Sequence, residues 1–384
     1  MKIVYADNNA TTKVAPEVVT EMTTFLTEKW GNPSSMHQLG GDVEKGIELA
    51  REKVTACLGA SQPSEIIFTS GGTESDNTAI RSALASRKGR RKIITSRVEH
   101  PAVLNLCRNL EREGYTVRYL PVDKHGLLNL ADLREAMDED VAVVSLMAAN
   151  NETGVLFPVE EAGQIAHEFG ALFHTDAVQA MGKVPVDLSL GHIDLLSVSG
   201  HKIHGPKGIG ALYVRRGCRF RPFIVGGHQE RGRRGGTENV PGIVAMGKAA
   251  ELAMAHMEEE QTRVKAMRDR LEAGILKIPL TRVNGKTEKR LPGTCNISIK
   301  NVEGESLLLM LDQKGICASS GSACTSGTLE PSHVLRAMGV PFTYAHGSLR
   351  FSLGRYNTDE DVDFILEELP AIVERLRELS PFSG

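Results

Sequence analysis

Between about Glu65 and Tyr213, short apolar runs alternate with stretches whose apolar residues recur every three or four positions. The runs are EIIFTS, KIITSRV, TVRYLPV, VAVVSLMA, ALFHTDA, IDLLSVS and GIGALYV. Ahead of the first, Val43, Ile47, Ala50, Val54 and Leu58 keep helical spacing until Gly59, and Pro101 opens another helix that should end near Gly114. This alternation predicts an α/β fold whose large domain holds a mostly parallel seven-stranded sheet. A long helical pattern then runs from about Val240 to Lys277. Beyond it come short strands (TCNISIK) and a helix at Glu305 to Gln313, which predict a smaller α+β domain. The boundaries fall at 15–259 for the large domain and at 1–14 with 260–384 for the small one.

Composition narrows the partners. The 384 residues are 24% charged and 41% hydrophobic with a net charge of -3, so the chain has neither the basic excess of a nucleic-acid binder nor a disordered composition. A small-molecule partner is expected instead. MKIVYADNNATT has no apolar signal core, and no apolar run approaches the ~18 residues of a membrane span, which predicts a soluble, cytoplasmic protein. The six cysteines form no C-x-x-C pair and read as reduced thiols, with Cys57 and Cys107 on the apolar stripes of helices. Cys324 differs. It sits in ASSGSACTSGTLEPS, Ala318 to Ser332, where glycines and small residues give it little packing and much freedom. The acidic run Glu258 to Glu260 reads as a solvated helix face.

Ligands of a parallel sheet sit beyond the carboxyl ends of its strands, so residues just after each run should converge. After EIIFTS, Gly71, Gly72 and Thr73 open a helix suited to a phosphate. After KIITSRV comes His100, which reads equally as a helix cap. AANNETG presents Asn150, Asn151 and Glu152. HTDAVQ presents Asp176 and Gln179, and Asp176 is either a carboxylate beside a pyridine nitrogen or the cap of the next helix. SVSGHKIHGPKG presents Ser199 and His201 as phosphate donors and Lys202 as an imine-forming amine. A free lysine, with a pKa of about 10.4, needs a desolvated pocket to act as a nucleophile. Five strand ends with this chemistry together specify a pyridoxal phosphate site.

At this point the sequence resembles the fold-type I pyridoxal-phosphate enzymes and, among them, the cysteine desulfurases of the NifS and IscS group. The resemblance runs nearly end to end, through YADNNATT (Tyr5 to Thr12), GNPSS, TSGGTESDN, EHPAV, NNETG, HTDAVQ, SGHKIHGPKG, GGHQERGRRGGTEN (Gly226 to Asn239), SSGSACTSG and RFSLGRYNT (Arg350 to Thr358). It implies that Lys202 is the Schiff-base lysine, that His100 stacks on the ring and serves in acid–base chemistry, and that Asp176 pairs with the pyridinium. Gln179 would bind the phenolic oxygen, with Gly72, Thr73, Ser199 and His201 on the phosphate. Thr237 would reach the phosphate of a neighbouring subunit, which implies a homodimer. Asn151 and Arg350 would receive the carboxylate of L-cysteine, and Cys324 would be the thiol that takes its sulfur. Gly72 stands where many relatives have alanine.

The Gly226 to Asn239 stretch and the close of the chain at RLRELSPFSG look most like the NifS branch, which serves nitrogenase iron–sulfur assembly, with a scaffold of the NifU or IscU type as sulfur acceptor. No metal is required, and Cys324 is the residue that would contact a transferred iron–sulfur cluster. Two other readings stay open: another fold-type I enzyme such as an aminotransferase, which needs no reactive thiol, and a non-enzymatic iron–sulfur scaffold using Cys317 and Cys324.

Overall fold

Each of the seven apolar runs contains a strand, and the seven build one sheet. A computed structural model describes residues 2–285, 287–320 and 331–379. The chain starts with a two-residue strand, β1 (Val4–Tyr5), followed by helices α1 (Pro16–Thr27) and α2 (Gln38–Leu58). α2 carries the predicted apolar stripe and stops at Gly59, whose φ of 64° lies in the left-handed region. Next come β2 (Ile66–Thr69), α3 (Gly72–Ser86), β3 (Lys92–Ser96), α4 (Pro101–Arg112), β4 (Thr116–Leu120), α5 (Leu130–Ala136) and β5 (Val141–Ser145). α6 (Val159–Glu168), β6 (Leu172–Asp176), β7 (Leu195–Ser199) and β8 (Gly210–Val214) complete the sheet.

The strand order is β2-β8-β7-β6-β5-β3-β4. Pairs from β7 through to β4 are parallel, while β8 runs antiparallel to both neighbours. Only residues 200–209 join β7 to β8, too few for the crossover a parallel return needs, so β8 comes back antiparallel. β5 to β8 are buried at every position, because helices cover both faces. Leu172, Leu195 and Leu212 join a core with residues of α3 and α4, whereas their neighbours Phe173, Leu196 and Ala211 join one with residues of α2 and α6.

The long helix expected from Val240 to Lys277 is four elements, with a break at His256. α7 (Val240–Ala255) packs on α1 and α2; a short turn, α8 (Met257–Glu259), and a π turn (Glu260–Val264) follow; then α9 (Lys265–Ile275) packs on α13 (Asp359–Leu379). The wider π turn rotates the apolar stripe from one partner to the other. β9 (Thr281–Asn284), β10 (Thr294–Ile299) and β12 (Ser348–Ser352) make a three-stranded antiparallel sheet, with α10 (Gly304–Gln313) and β11 (Ile316–Cys317) between β10 and β12. β1 pairs with β11, so Val4 and Ala6 join the core of Met267, Ile297 and Phe351. Two short helices, α11 (His333–Ala337) and α12 (Phe342–Ala345), place Val334, Leu335 and Ala345 in the larger core. Cys57 and Cys107 are buried, as their stripes imply, and burial pushes both thiols up to about 12.

A buried ion pair pins residues 226–239 to this frame. Arg51 donates to both oxygens of Glu230 at 2.8 and 2.9 Å, and Phe68 N–H donates to Glu230 Oε2 at 3.2 Å. The two side chains are 4% and 3% exposed. Glu230 holds a φ of 48°, a backbone conformation that these three bonds enforce. Removing one partner of such a pair strands a buried charge, so Glu230→Ala should cost about 3–5 kcal/mol. Urea unfolding of the two proteins measures it as a shift in midpoint.

Candidate active site

β2 is antiparallel to β8 and β8 to β7, so β2, β3, β5, β6 and β7 all point the same way. Their carboxyl ends share one edge of the sheet. There Gly72, Thr73, His100, Asn151, Asp176, Gln179, Ser199, His201, Lys202 and Arg350 line one cavity of about 380 Å³. The convergence expected from the sequence is therefore present, with two exceptions. Thr237 is exposed and lies outside the lining of this cavity, while Cys324 and the 321–330 stretch of its loop fall outside the described residues.

Lys202 ends a single 3₁₀ turn after β7, and its Nζ donates to the carbonyls of Asn9 at 2.5 Å and Ala10 at 2.7 Å. Burial, then the charges of Lys183 and Arg350, pull the amine down to about 7, against Asp176 and Asp7. His201 is pulled down to about 4 by burial and by Lys202, so its ring is neutral, and Nδ1 shares a hydrogen bond with Thr11 Oγ1 at 3.1 Å.

Asp176 and His100 both cap backbone, and both also line the cavity. Asp176 Oδ1 accepts from Val178 N–H at 2.9 Å, capping the turn, while Oδ2 makes no hydrogen bond among the described residues. Burial raises this carboxyl to about 6, against that hydrogen bond and Lys202. His100 caps α4 by accepting Ala102 N–H on Nδ1 at 3.1 Å. The neutral ring therefore carries its proton on Nε2. Burial and Lys202 lower its pKa.

Asn150 and Glu152 turn out to be structural. Asn150 Oδ1 accepts the N–H groups of Glu152 and Thr153, and buried Glu152 accepts from the Ser332 hydroxyl. Asn151 faces the cavity, and its carbonyl accepts Arg350 Nη1 at 2.9 Å. Arg350 is 5% exposed and donates through Nη2 to Asp7 Oδ1 at 2.8 Å, so it is no surface ion pair. Gly72 has a packing reason: a Cβ there would stand 2.8 Å from Val178 Cγ2.

The N-terminal segment was not foreseen as part of the site. Asn9 lines the cavity, accepts Lys202 and Gln179 on its carbonyl, and reaches Thr294 Oγ1 through Nδ2 at 2.9 Å. Nor were Asp7, Asp76 or Lys183. YADNNATT was visible as a motif, but a carbonyl acceptor has no signature in residue type.

The donors fit a pyridine aldehyde phosphate. Gly71, the residue before α3, offers no side-chain cap, which leaves the N–H groups of the first turn available to an anion. Ser199 Oγ, 3.9 Å from where a Gly71 Cβ would stand, makes no hydrogen bond among the described residues. With the free oxygen of Asp176 and the neutral-leaning amine of Lys202, the cavity offers a phosphate end, a cation partner and a nucleophile.

Comparison with known proteins agrees. The model of the family described as aminotransferase class-V matches residues 4–365. The chain is 60% identical to "Cysteine desulfurase" of Trichormus azollae and 57% to "Cysteine desulfurase NifS" of Azotobacter vinelandii, each over 100% of this chain and 96% or 95% of that protein. Among solved structures, a "NIFS-LIKE PROTEIN" superposes with a TM-score of 0.92 at 42% identity, covering 98% of this chain and 100% of that one.

An amine with a pKa of about 7 has half its molecules neutral at that pH, whereas an ordinary lysine near 10.4 has well under 1%. Only the neutral form attacks an aldehyde. Trapping of pyridoxal phosphate by the protein should therefore climb between about pH 6 and 8 and then level off, and borohydride reduction followed by peptide mass analysis measures it at Lys202.

Proposed function

The chain belongs to the aminotransferase class-V family, and from that premise we propose a role for each residue of the cavity. The protein is a pyridoxal 5′-phosphate-dependent cysteine desulfurase, which converts L-cysteine to L-alanine and passes the sulfur to an acceptor protein. The observation that carries this reading is the meeting of Lys202, Asp176 and Arg350 on one cavity in a chain that matches desulfurases over its full length.

Lys202 would tether the aldehyde and Asp176 Oδ2 would face the ring nitrogen. His100 would lie against the ring, Gln179 on the phenolic oxygen, and Gly72, Thr73, Ser199 and His201 around the phosphate. When bound, the cofactor supplies an electron-withdrawing ring that stabilises charge left on the substrate carbon. Arg350, with Asn151, takes the substrate carboxylate and fixes the side chain's direction, because the guanidinium fork matches a carboxylate. His100, with its proton on Nε2, is placed to give and take a proton at the substrate. Cys324 attacks as a thiolate: a bond forms between its sulfur and the substrate's, the substrate C–S bond breaks with its electron pair left on carbon, and a proton on that carbon completes alanine.

Exposed Thr237, held on the segment that Arg51 and Glu230 anchor, supports a homodimer in which Thr237 of the partner subunit completes the phosphate site. Separate apolar cores around Phe173 and around Phe351 support a division close to residues 15–259 and residues 1–14 with 260–384, except that Val334, Leu335 and Ala345 pack in the core of the larger unit. Likeness to a protein named NifS supports sulfur delivery for iron–sulfur cluster assembly, with a NifU- or IscU-type scaffold as acceptor and nitrogenase maturation as the purpose. Among the described residues no helix is long and apolar enough to cross a membrane, in keeping with a cytoplasmic place.

Cys324→Ala should keep the bound cofactor and its spectral response to cysteine while alanine production falls more than about a hundredfold. Mass spectrometry of the wild type should find the persulfide on Cys324, and sulfur on another cysteine would move the assignment there. Arg350→Lys loses the two-pronged contact and should raise KM for cysteine about tenfold or more.

A further inference from the structure

Lys183 stands in the turn that follows β6. It does not line the cavity, yet its ammonium enters the hydrogen-bond web behind the wall. Nζ donates to Gln179 Oε1 at 3.1 Å and approaches Asn9 Oδ1 at 3.4 Å. On the other side of the same amide, Gln179 Nε2 donates to the Asn9 carbonyl at 2.9 Å. That carbonyl also receives Lys202 Nζ. An ammonium can only donate and a carbonyl can only accept, so the Gln179 amide between them has one permitted orientation. Its second Nε2 hydrogen is then what Gln179 presents to the cavity.

We propose that Lys183 is a positioning residue, which locks the Gln179 amide with its NH₂ group toward the cofactor cavity and links it through Asn9 to Lys202. The proposal rests on the assignment of the cavity to pyridoxal phosphate, because a locked donor at Gln179 serves an acceptor such as the phenolic oxygen of that ring. A neutral donor would orient the amide less firmly, since a hydroxyl or amide can reverse its role. The charge has a second effect. Lys202 is faced by Lys183 and Arg350, which disfavour its protonation, by Asp176 and Asp7, which favour it, and by the neutral rings of His100 and His201. Lys183 is the largest of these charge effects. Burial pulls Lys183 itself down to about 8, opposed by Glu260 of the π turn and assisted by Arg350.

A double-mutant cycle tests the link. Lys183→Met and Gln179→Leu are made singly and together, and the affinity of each apoprotein for pyridoxal phosphate is titrated by absorbance. Each single change should weaken binding about tenfold, and the double variant should be no weaker than the worse single one, because both act through one amide. In the same apoproteins, trace reductive methylation and peptide mass analysis give the titration of Lys202. Its midpoint should rise by about half a pH unit or more in Lys183→Met and stay in place in Gln179→Leu. Independent losses that multiply in the double variant, or a Lys183→Met protein with wild-type affinity and an unmoved Lys202 midpoint, would overturn the proposal. A wild-type apoprotein that takes up no pyridoxal phosphate would instead overturn the cofactor assignment on which it stands.

Discussion

The carbonyl of Asn9 holds together parts of the chain that are almost two hundred residues apart. It accepts Lys202 Nζ from the end of β7 and Gln179 Nε2 from the turn after β6. The same residue is fixed from the other side, where its N–H donates to Ser352 Oγ and its amide to Thr294 Oγ1 on the three-stranded sheet. Through Asn9 the nucleophilic amine therefore has a set position relative to the strand that carries Arg350. On the proposed roles, an amine that tethers the cofactor and a guanidinium that takes the substrate carboxylate need this, since an error of about 1 Å between them is costly.

Burial pushes several ionisable groups at this edge toward their neutral forms, whatever their sign. Lys202 and Lys183 fall to about 7 and 8, His201 to about 4, while Asp176 rises to about 6 and Glu99 to about 8. Asp76, wholly buried, is raised well above the usual range by burial and then by Asp176. The order matters at pH 7. Glu99, at about 8, is held mainly as an acid, and Asp76 is pushed in the same direction, while Asp176, at about 6 and with an oxygen facing the cavity, carries a negative charge. A cationic ring nitrogen placed beside it would strengthen that preference.

Much of this was legible because parallel strands make their chemistry local. Apart from the edge strand β4, the runs from Ile66 to Val214 are continuous apolar segments since both faces of the sheet are covered, and the residue after each run other than that of antiparallel β8 is bound to reach the same edge. His100 and Asp176 could not be decided from sequence, and the structure shows why: one atom of each caps backbone while another faces the cavity. What stayed hidden depends on contacts between distant segments. Asn9 acts largely through its backbone, which every residue possesses, and Lys183 differs from solvated lysines only by the fold around it. The break at His256 follows from a change of packing partner along one continuous apolar pattern, which periodicity alone cannot register.

The Arg350–Asp7 pair adds a constraint on the substrate. Arg350 Nη1 is held by the Asn151 carbonyl and Nη2 by Asp7, yet each nitrogen has a second hydrogen. A carboxylate can therefore add to the guanidinium without evicting Asp7, and the two anions share one cation. This arrangement limits the attraction for any carboxylate while keeping the fork rigid. An arginine free of Asp7 would bind anions more strongly and less selectively. With Asp7 present, the carboxylate contact alone is weakened, and tight placement requires the substrate to be held also at its amine end beside Lys202. With the substrate carboxylate on Arg350, as proposed, the site would favour α-amino acids over simple carboxylates by dividing the binding between two anchors whose spacing Asn9 fixes.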